Sequence, residues 1–343
     1  MKRIILFVMV SSALSVAAQE RVQEFAWSYP AERFKELSIL NRLGNVDIRQ
    51  GGEQFEIQAE IRVKAKSLEK ADAVMQHVRI EAVESLSMLN LSTILEKEFT
   101  IRRLFFGVSI EIDYHVKIPK GKKLSVANKN GSVLAGRFSG DLNIDIVSGD
   151  FKAQQVEGDF TAKLDDGLFE VQQVNRFSGE FRSAEVKLHA GKRVKVSGEG
   201  SNINVIKAEE AIAKVAGGSL YIGNVNQVEL HAAGAKCEIQ DVAKSLRADT
   251  RAGRLVVHSI HPFFSTVEVS SSSTKVALSF RPGGGFHINF KHDNIKIVLP
   301  NNLVLESKPT TKRKVFIESG FVGDKPFNSQ VELNIMGGEI VIQ

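Results

Sequence analysis

One cysteine, Cys237, is too few for an intrachain disulfide, and it lies far from any leader-cleavage site, so it cannot be a lipid-modified first residue. Proline is scarce at 7 residues against 27 glycines, and no triplet period runs through them, which excludes a collagen. Aromatic residues are thin at 7%, with one Trp and three Tyr, so the core has to be built from aliphatics and 21 Phe. Beyond the first residues, no stretch approaches the roughly 20 apolar residues of a membrane-spanning helix, and no integral span is expected. Charge of one sign is also lacking. The formal net charge of +5 over 343 residues falls to +3 once Lys2 and Arg3 are set aside, which does not imply a nucleic-acid partner.

What is present is 43% hydrophobic and 25% charged residues, enough for a sizeable core and too apolar for a disordered chain. The opening Met1-Lys2-Arg3, the apolar run Ile4 to Val10 and the small residues through Ala18 have the three zones of a secretory signal peptide. Residues 1–18 are therefore expected to be cleaved after Ala18, leaving a soluble, exported protein, periplasmic or at the cell surface.

The strongest internal signal is a repeat. A Gly or small residue followed by apolar, variable, apolar recurs as Gly131-Ser-Val133-Leu-Ala135, Gly149-Asp-Phe151-Lys-Ala153, Gly167-Leu-Phe169-Glu-Val171, Gly218-Ser-Leu220-Tyr-Ile222 and Gly253-Arg-Leu255-Val-Val257. Weaker copies start at Ala184, Ser201 and Ala235. The anchors thus fall at positions 131, 149, 167, 184, 201, 218, 235 and 253. So even a spacing marks a repeat architecture. A second alternating pair follows in each copy, as in Leu142/Ile144, Phe160/Ala162, Val194/Val196, Val228/Leu230 and Leu246/Ala248. Two short half-buried strands per repeat cannot bury their apolar faces alone, so the repeats must stack. The expected fold is all-β, a parallel single-stranded β-helix or β-solenoid over residues 128–260. A coil of this length suits a two-faced roll and a three-faced helix alike. Opposite charges following one another at equivalent positions, Lys152, Glu170 and Lys187, then Glu229, Arg247 and Glu268, fit a solvated outer ladder.

Residues 19–127 read as a strand-rich N-terminal cap, with strands at Leu37 to Gln50, Phe55 to Lys64 and Val108 to Ile118. A helix is expected near 67–78, N-capped by Ser67, with Leu68, Ala71, Met75 and Val78 on one stripe. Gly44-Asn45-Val46-Asp47-Ile48 already matches the repeat phrase. Residues 261–343 carry turns at Pro282-Gly283-Gly284-Gly285 and Pro300-Asn301-Asn302, and Gly337 to Ile342 returns to the repeat idiom as a C-terminal cap.

The phrase at Gly44 to Ile48, the strand ending Val116-Lys117-Ile118-Pro119 followed by Lys123-Leu124-Ser125-Val126, and the recurring small-Gly-x-apolar-x-apolar pattern together resemble the putative-adhesin family of exported bacterial β-strand-repeat domains. The resemblance spans about Phe25 to Gln343. It implies a β-solenoid, a cell-envelope or surface location and no transferable catalytic residues. Ser148-Gly149 and Asp166-Gly167 keep the family idiom, while the copies at Ala184, Ser201 and Ala235 lack the glycine.

Residues able to carry chemistry are scattered. Asp150, Asp159, Asp165 and Asp166 cluster near turns, but the calcium-binding nonapeptide Gly-Gly-x-Gly-x-Asp does not occur, and turn capping is the favoured role. Asp165 with Glu185 or Asp150 can be written as a glycosidase-like pair, though stacked repeats bring many acids together. His258 with His261, and His287 with His292, could each supply two metal ligands, but neither pair has a supporting context, and His189 and His258 share a register four repeats apart. Cys237 falls at a core position. The basic runs Lys117 to Lys123 and Lys312-Arg313-Lys314 read as loop solubility, and Arg102-Arg103-Leu104-Phe105-Phe106 as a contact patch or a strand dipping into the cap. No catalytic, metal or cofactor site is expected. The expected function is an exported, non-catalytic, adhesin-like binding or scaffold protein of the bacterial envelope, its partners envelope or host glycans or a surface protein. The alternatives are a polysaccharide-acting β-helix enzyme, lyase or hydrolase, and a periplasmic partner in envelope signalling.

Overall fold

A computed structural model describes residues 19–96, 107–293, 295–305, 310–312, 315–323 and 328–343. The signal-peptide reading of residues 1–18 and the Arg102–Phe106 patch lie outside the described residues. The chain is all-β, with one α-helix among the described residues, and divides into two compact units, Met1–Glu170 and Val171–Gln343. No helix among the described residues is long and apolar enough to cross a membrane.

In the first unit the strands run β1 (Gln19–Pro30), β2 (Glu36–Arg42), β3 (Val46–Gln50), β4 (Gln54–Ala65), helix α1 (Leu68–Met75), β5 (Val78–Glu84), β6 (Met88–Leu95), β7 (Ser109–Ile118), β8 (Lys123–Lys129), β9 (Val133–Phe138) and β10 (Leu142–Val147). The long β11 (Phe151–Glu199) starts here and continues into the second unit. Strand pairing is parallel with an offset of 18, Leu124 with Leu142, Leu142 with Phe160 and Val133 with Phe151. Alternation sends Val133, Leu142, Ile144, Phe151, Phe160 and Phe169 inward, each essentially buried. Phe151 and Phe169, one repeat apart, stack with ring centroids at 5.1 Å, close to the spacing of neighbouring strands.

Sequence order is broken at the start of the chain. β2 pairs in parallel with both β6 and β8, and β3 with both β7 and β9. The repeat phrase at Gly44 to Ile48 therefore belongs to an internal level, and does not sit at an end. The outer edges of β6 and β7 are covered by antiparallel partners, β5 on β6 and β4 on β7, with β1 added to β4. Helix α1, whose Ser67 side chain accepts from the Lys70 N–H, packs against β1, β4 and β5. Antiparallel hairpins of this kind remove free parallel edges that would otherwise template another chain.

The second unit adds β12 (Asn202–Ala216), β13 (Ser219–Ala233), β14 (Lys236–Arg251), β15 (Arg254–Ile260), β16 (Thr266–Phe280), β17 (Phe286–His292), β18 (Lys296–Val298), β19 (Leu303–Leu305), β20 (Thr310–Lys312), β21 (Val315–Val322) and β22 (Ser329–Ile342). Glu185 pairs with Asn202, Asn202 with Ser219 and Ser219 with Lys236, an offset of 17. Cys237 lies between Leu220 and Leu255 in the core, and burial pushes its thiol up to about 12. Here too the end is threaded out of order. β22 pairs in parallel with β16 on one side and with β17 and β18 on the other, and β21 then runs antiparallel along β17.

The corners explain the period. The residue just before each anchor is left-handed: Asn130, Ser148 and Asp166 in the first unit, and Ser183, Gly200, Gly217, Gly234 and Ala252 in the second. Its N–H reaches the next repeat, as in Asn130 to Val147 O at 2.9 Å and Gly234 to Arg251 O at 2.8 Å. A Cβ on Gly149 would lie 2.0 Å from the carbonyl oxygen of Gly131, and one on Gly131 would lie 1.9 Å from that of Gly44. Where the anchor is Ser201 or Ala235, the glycine has moved one position back, to the left-handed corner itself.

Turn acids complete the corners. Asp150 Oδ1 accepts from Leu168 N–H and Asp141 Oδ1 from Asp159 N–H, both at 2.9 Å, each tying one repeat to the next. Deeper in the first unit, Asn41 Nδ2 donates to Ile112 O, and Thr93 Oγ1 bonds both Asn41 Oδ1 and the Tyr114 hydroxyl.

This corner geometry sets the sign of two substitutions. Gly149→Ala is expected to lose about 1–3 kcal/mol because a backbone carbonyl cannot move aside as a side chain would. Ala252→Gly is expected to gain up to about 1 kcal/mol, since relief of the ~1–2 kcal/mol left-handed penalty exceeds glycine's ~0.5–1 kcal/mol entropic cost. Chemical-denaturation midpoints of both variants against the parent check the two signs together.

The buried phenol of Tyr114 gives a pH dependence. Burial pushes it up to about 12, so the folded chain keeps a proton that the unfolded chain releases from about pH 10. This contribution is complete below pH 10 and is lost as the pH rises through 12, amounting in full to about 2–3 kcal/mol. Denaturation midpoints between pH 9 and 12 are expected to fall less steeply for Tyr114→Phe than for the parent.

Candidate functional site

In the second unit the repeat lengthens by one residue between Val225 and Gln227 and by three more at the next level. Lys236 pairs with Arg254 at an offset of 18, but Ser245 pairs with Thr266 and Arg254 with Lys275 at 21. The extra length leaves the sheet between β15 and β16 as His261-Pro-Phe-Phe-Ser265, closed by a bond from Phe264 N–H to His261 O at 3.1 Å. Pro262 has no N–H to give a ladder, which suits it to this excursion. Phe264 turns inward and is 2% exposed, while Phe263 turns outward and is 75% exposed.

Phe264, Phe280 and Phe286 form a cluster, with Phe280 and Phe286 stacked at 4.6 Å and Phe264 at 5.4 and 5.7 Å from them. The β16–β17 turn, Pro282-Gly-Gly-Gly285, closes against the excursion, and a Cβ on Gly284 would lie 2.0 Å from Pro262 O. The end of the chain is held alongside by Phe280 N–H to Gln343 O at 2.7 Å, and Ser329 Oγ bonds Phe264 O.

Between these segments lies a cavity of about 730 Å³. Phe263, Phe264, Phe280 and Phe286 give it an aromatic lining, and its polar lining comes from Arg281, Asn302, Asn328, Ser329 and Gln343. Arg281 is fixed by Nη2 to Asp241 Oδ1 and Nε to Ser259 Oγ, both 2.6 Å, so its charge is already balanced. Among the described residues lining the cavity there is no acid, histidine, cysteine or lysine.

A shallower recess of about 260 Å³ runs beside the acid ladder. Its carboxylates are paired: Glu210 with Arg193 at 2.7 Å, Glu268 with Arg247 at 2.8 Å and Glu229 with the His231 ring at 3.0 Å. Glu229, Arg247 and Glu268 stand in consecutive register, the alternation expected of an outer ladder.

The other candidate residues separate. His258 bonds Glu238 at 2.8 Å, while His261 accepts from Phe263 N–H. His287 and His292 point to opposite faces of β17; His292 is buried against Phe290 and Phe316, its Nδ1 2.6 Å from Asp293 O. Glu185 is paired with Lys187 at 2.6 Å, and Asp150 is committed to its backbone cap. Lys117 and Lys123, at the ends of the first basic run, pair with Glu56 and Glu36. Arg313 and Lys314 lie outside the described residues. Among the described residues, no cluster of His, Cys, Asp and Glu converges as a metal site would need. Sequence reasoning missed the cavity, whose one signal was the lengthening of the repeat around Pro262, from an offset of 18 to one of 21.

No family profile matches the chain, and no curated protein matches it. Similar solved structures include a putative cell adhesion protein from Clostridium sporogenes, at 10% identity over 94% of this chain and 98% of that one, with a TM-score of 0.22. Others are a putative lipid binding protein from Parabacteroides distasonis, at 12% over 93% and 96% with a TM-score of 0.32, and a putative adhesin from Bacteroides fragilis, at 11% over 93% and 96% with a TM-score of 0.28. At these scores the likeness transfers neither fold nor function to this chain.

Proposed function

We propose that this chain is an exported, non-catalytic β-solenoid that acts as an adhesin-like binding or scaffold protein at the bacterial cell envelope. The parallel register, offset by 18 in the first unit and by 17 from β11 through β13 in the second, supports the solenoid part of the reading, and the three-zone opening of the sequence supports export. The observation that carries the functional part is the composition of the 730 Å³ cavity. It is of the size of small-molecule sites, roughly 300–1,000 Å³, yet its described lining offers no group that could exchange a proton near neutral pH. Glycoside cleavage needs two carboxylates flanking the bond, and the acids of the outer ladder are engaged by Arg193, Arg247 and His231.

The test uses residues 19–343 on a panel of purified envelope polysaccharides and host glycans, with and without chelator, while reducing ends are assayed. Saturable, chelator-insensitive binding without release of reducing ends is expected. Release of ends overturns the non-catalytic reading, and binding that chelator abolishes restores calcium at the turns.

A further inference from the structure

We infer that the cavity beside Phe263 is a carbohydrate subsite for a neutral sugar residue. The inference rests on the binding reading above and names its ligand class. Three features of the lining select among small-molecule chemistries.

First, Phe263 lines the cavity at 75% exposure, with its ring 5.8 Å from that of His261, so apolar ring area is open for a ligand to cover. A pyranose offers such a cover, because its axial C–H groups make one face apolar while its hydroxyls point outward from the rim. Second, Asn302, Asn328 and Gln343, each carrying a primary amide, are among the lining residues. Each amide donates and accepts, as each sugar hydroxyl does, so vicinal hydroxyls can be matched group for group. A purely apolar ligand such as an acyl chain offers no partner to any amide that it covers. Third, the one charged side chain in the described lining, Arg281, is held by Asp241 and Ser259. Among the described lining residues no unbalanced cation waits for a carboxylate or phosphate, which disfavours uronic acids, fatty acids and phosphorylated headgroups relative to a neutral sugar.

The geometry also fits a chain. Phe263 belongs to the lining and is open to solvent, and the lining mixes polar and apolar surface, so a terminal or internal residue of a glycan can enter while its neighbours remain in water.

The experiment is calorimetric titration of residues 19–343 with neutral gluco-, manno- and galacto-oligosaccharides, with oligouronates and palmitate as comparators. The proteins are the parent, Phe263→Ala, Phe263→Tyr, Asn302→Ala and, as an exposed control in the first unit, Leu86→Ala. At least one neutral oligosaccharide is expected to bind. Phe263→Ala is expected to weaken it about 10-fold or more and Asn302→Ala several-fold, while Phe263→Tyr keeps the affinity and Leu86→Ala leaves it unchanged. Because Phe263 is exposed, its loss does not threaten folding, and far-UV circular dichroism of each variant checks this. Neutral-sugar binding that Phe263→Ala leaves intact overturns the site while sparing the binding function. Preference for oligouronates or palmitate, or no binding by any neutral oligosaccharide, overturns the ligand class. Release of reducing ends during titration overturns the non-catalytic reading itself.

Discussion

The structure depends on backbone meeting backbone at the corner of each repeat. A left-handed residue turns the chain, its N–H bonds the carbonyl of the next repeat, and the following residue lies so close to its neighbour that a Cβ at Gly131, Gly149 or Gly167 would fall about 2 Å from a carbonyl oxygen. Such contact leaves no slack along the stacking direction. In the glycine-anchored repeats of the first unit it holds the register at an offset of 18, and alternation then decides which side chains enter the core. Everything pointing outward is released from that constraint, which is why the outer ladder varies between acids, bases and amides while Phe151, Phe169, Leu220, Cys237 and Leu255 stay apolar.

A parallel stack has a weakness at its last level, where a row of unpaired N–H and C=O groups faces outward. Each unit answers it by the same device. The level nearest the chain terminus is not the last in space: β2 and β3 lie inside β6 and β7, and β22 lies inside β17 and β18. The outer level then takes an antiparallel partner, β4 and β5 in the first unit and β21 in the second. Reversing direction ends the parallel ladder.

Much of this was legible in the sequence. Every anchor from Gly131 to Gly253 follows a left-handed corner, the second apolar pairs are buried, Ser67 caps the helix, and the phrases at Gly44 and Gly338 are true members of the register. The apparent loss of glycine at Ser201 and Ala235 was a displacement by one position to Gly200 and Gly234, visible only once the left-handed corner was known. Threading order was not legible. The same phrase serves an inner or an outer level equally well, and β2 finds its partner β8 far along the chain by long-range pairing, not by local pattern. Turn acids and histidines were ambiguous for a related reason. Asp150 caps a backbone amide of the next repeat, and the odd spacing of His287 and His292 along one strand puts them on opposite faces.

The cavity follows from the same constraint by its local failure. A regular repeat offers only shallow furrows, because each level covers the one before with side chains of matched height. To make a recess, the chain has to leave the register and return to it, and that requires extra residues whose backbone need not pair. The segment His261 to Ser265 does this, adding length between two strands that remain in parallel register on either side. Phe264 keeps the core continuous beneath the excursion, and Phe263, its neighbour in the chain, is turned into solvent. The glycines of the next turn then let the chain pass Pro262 at backbone distance. An exposed ring beside a recess is thus built by a few residues inserted between strands that keep their parallel register. In a repeat protein of this kind, the place where the period changes is where a specific ligand site can be made.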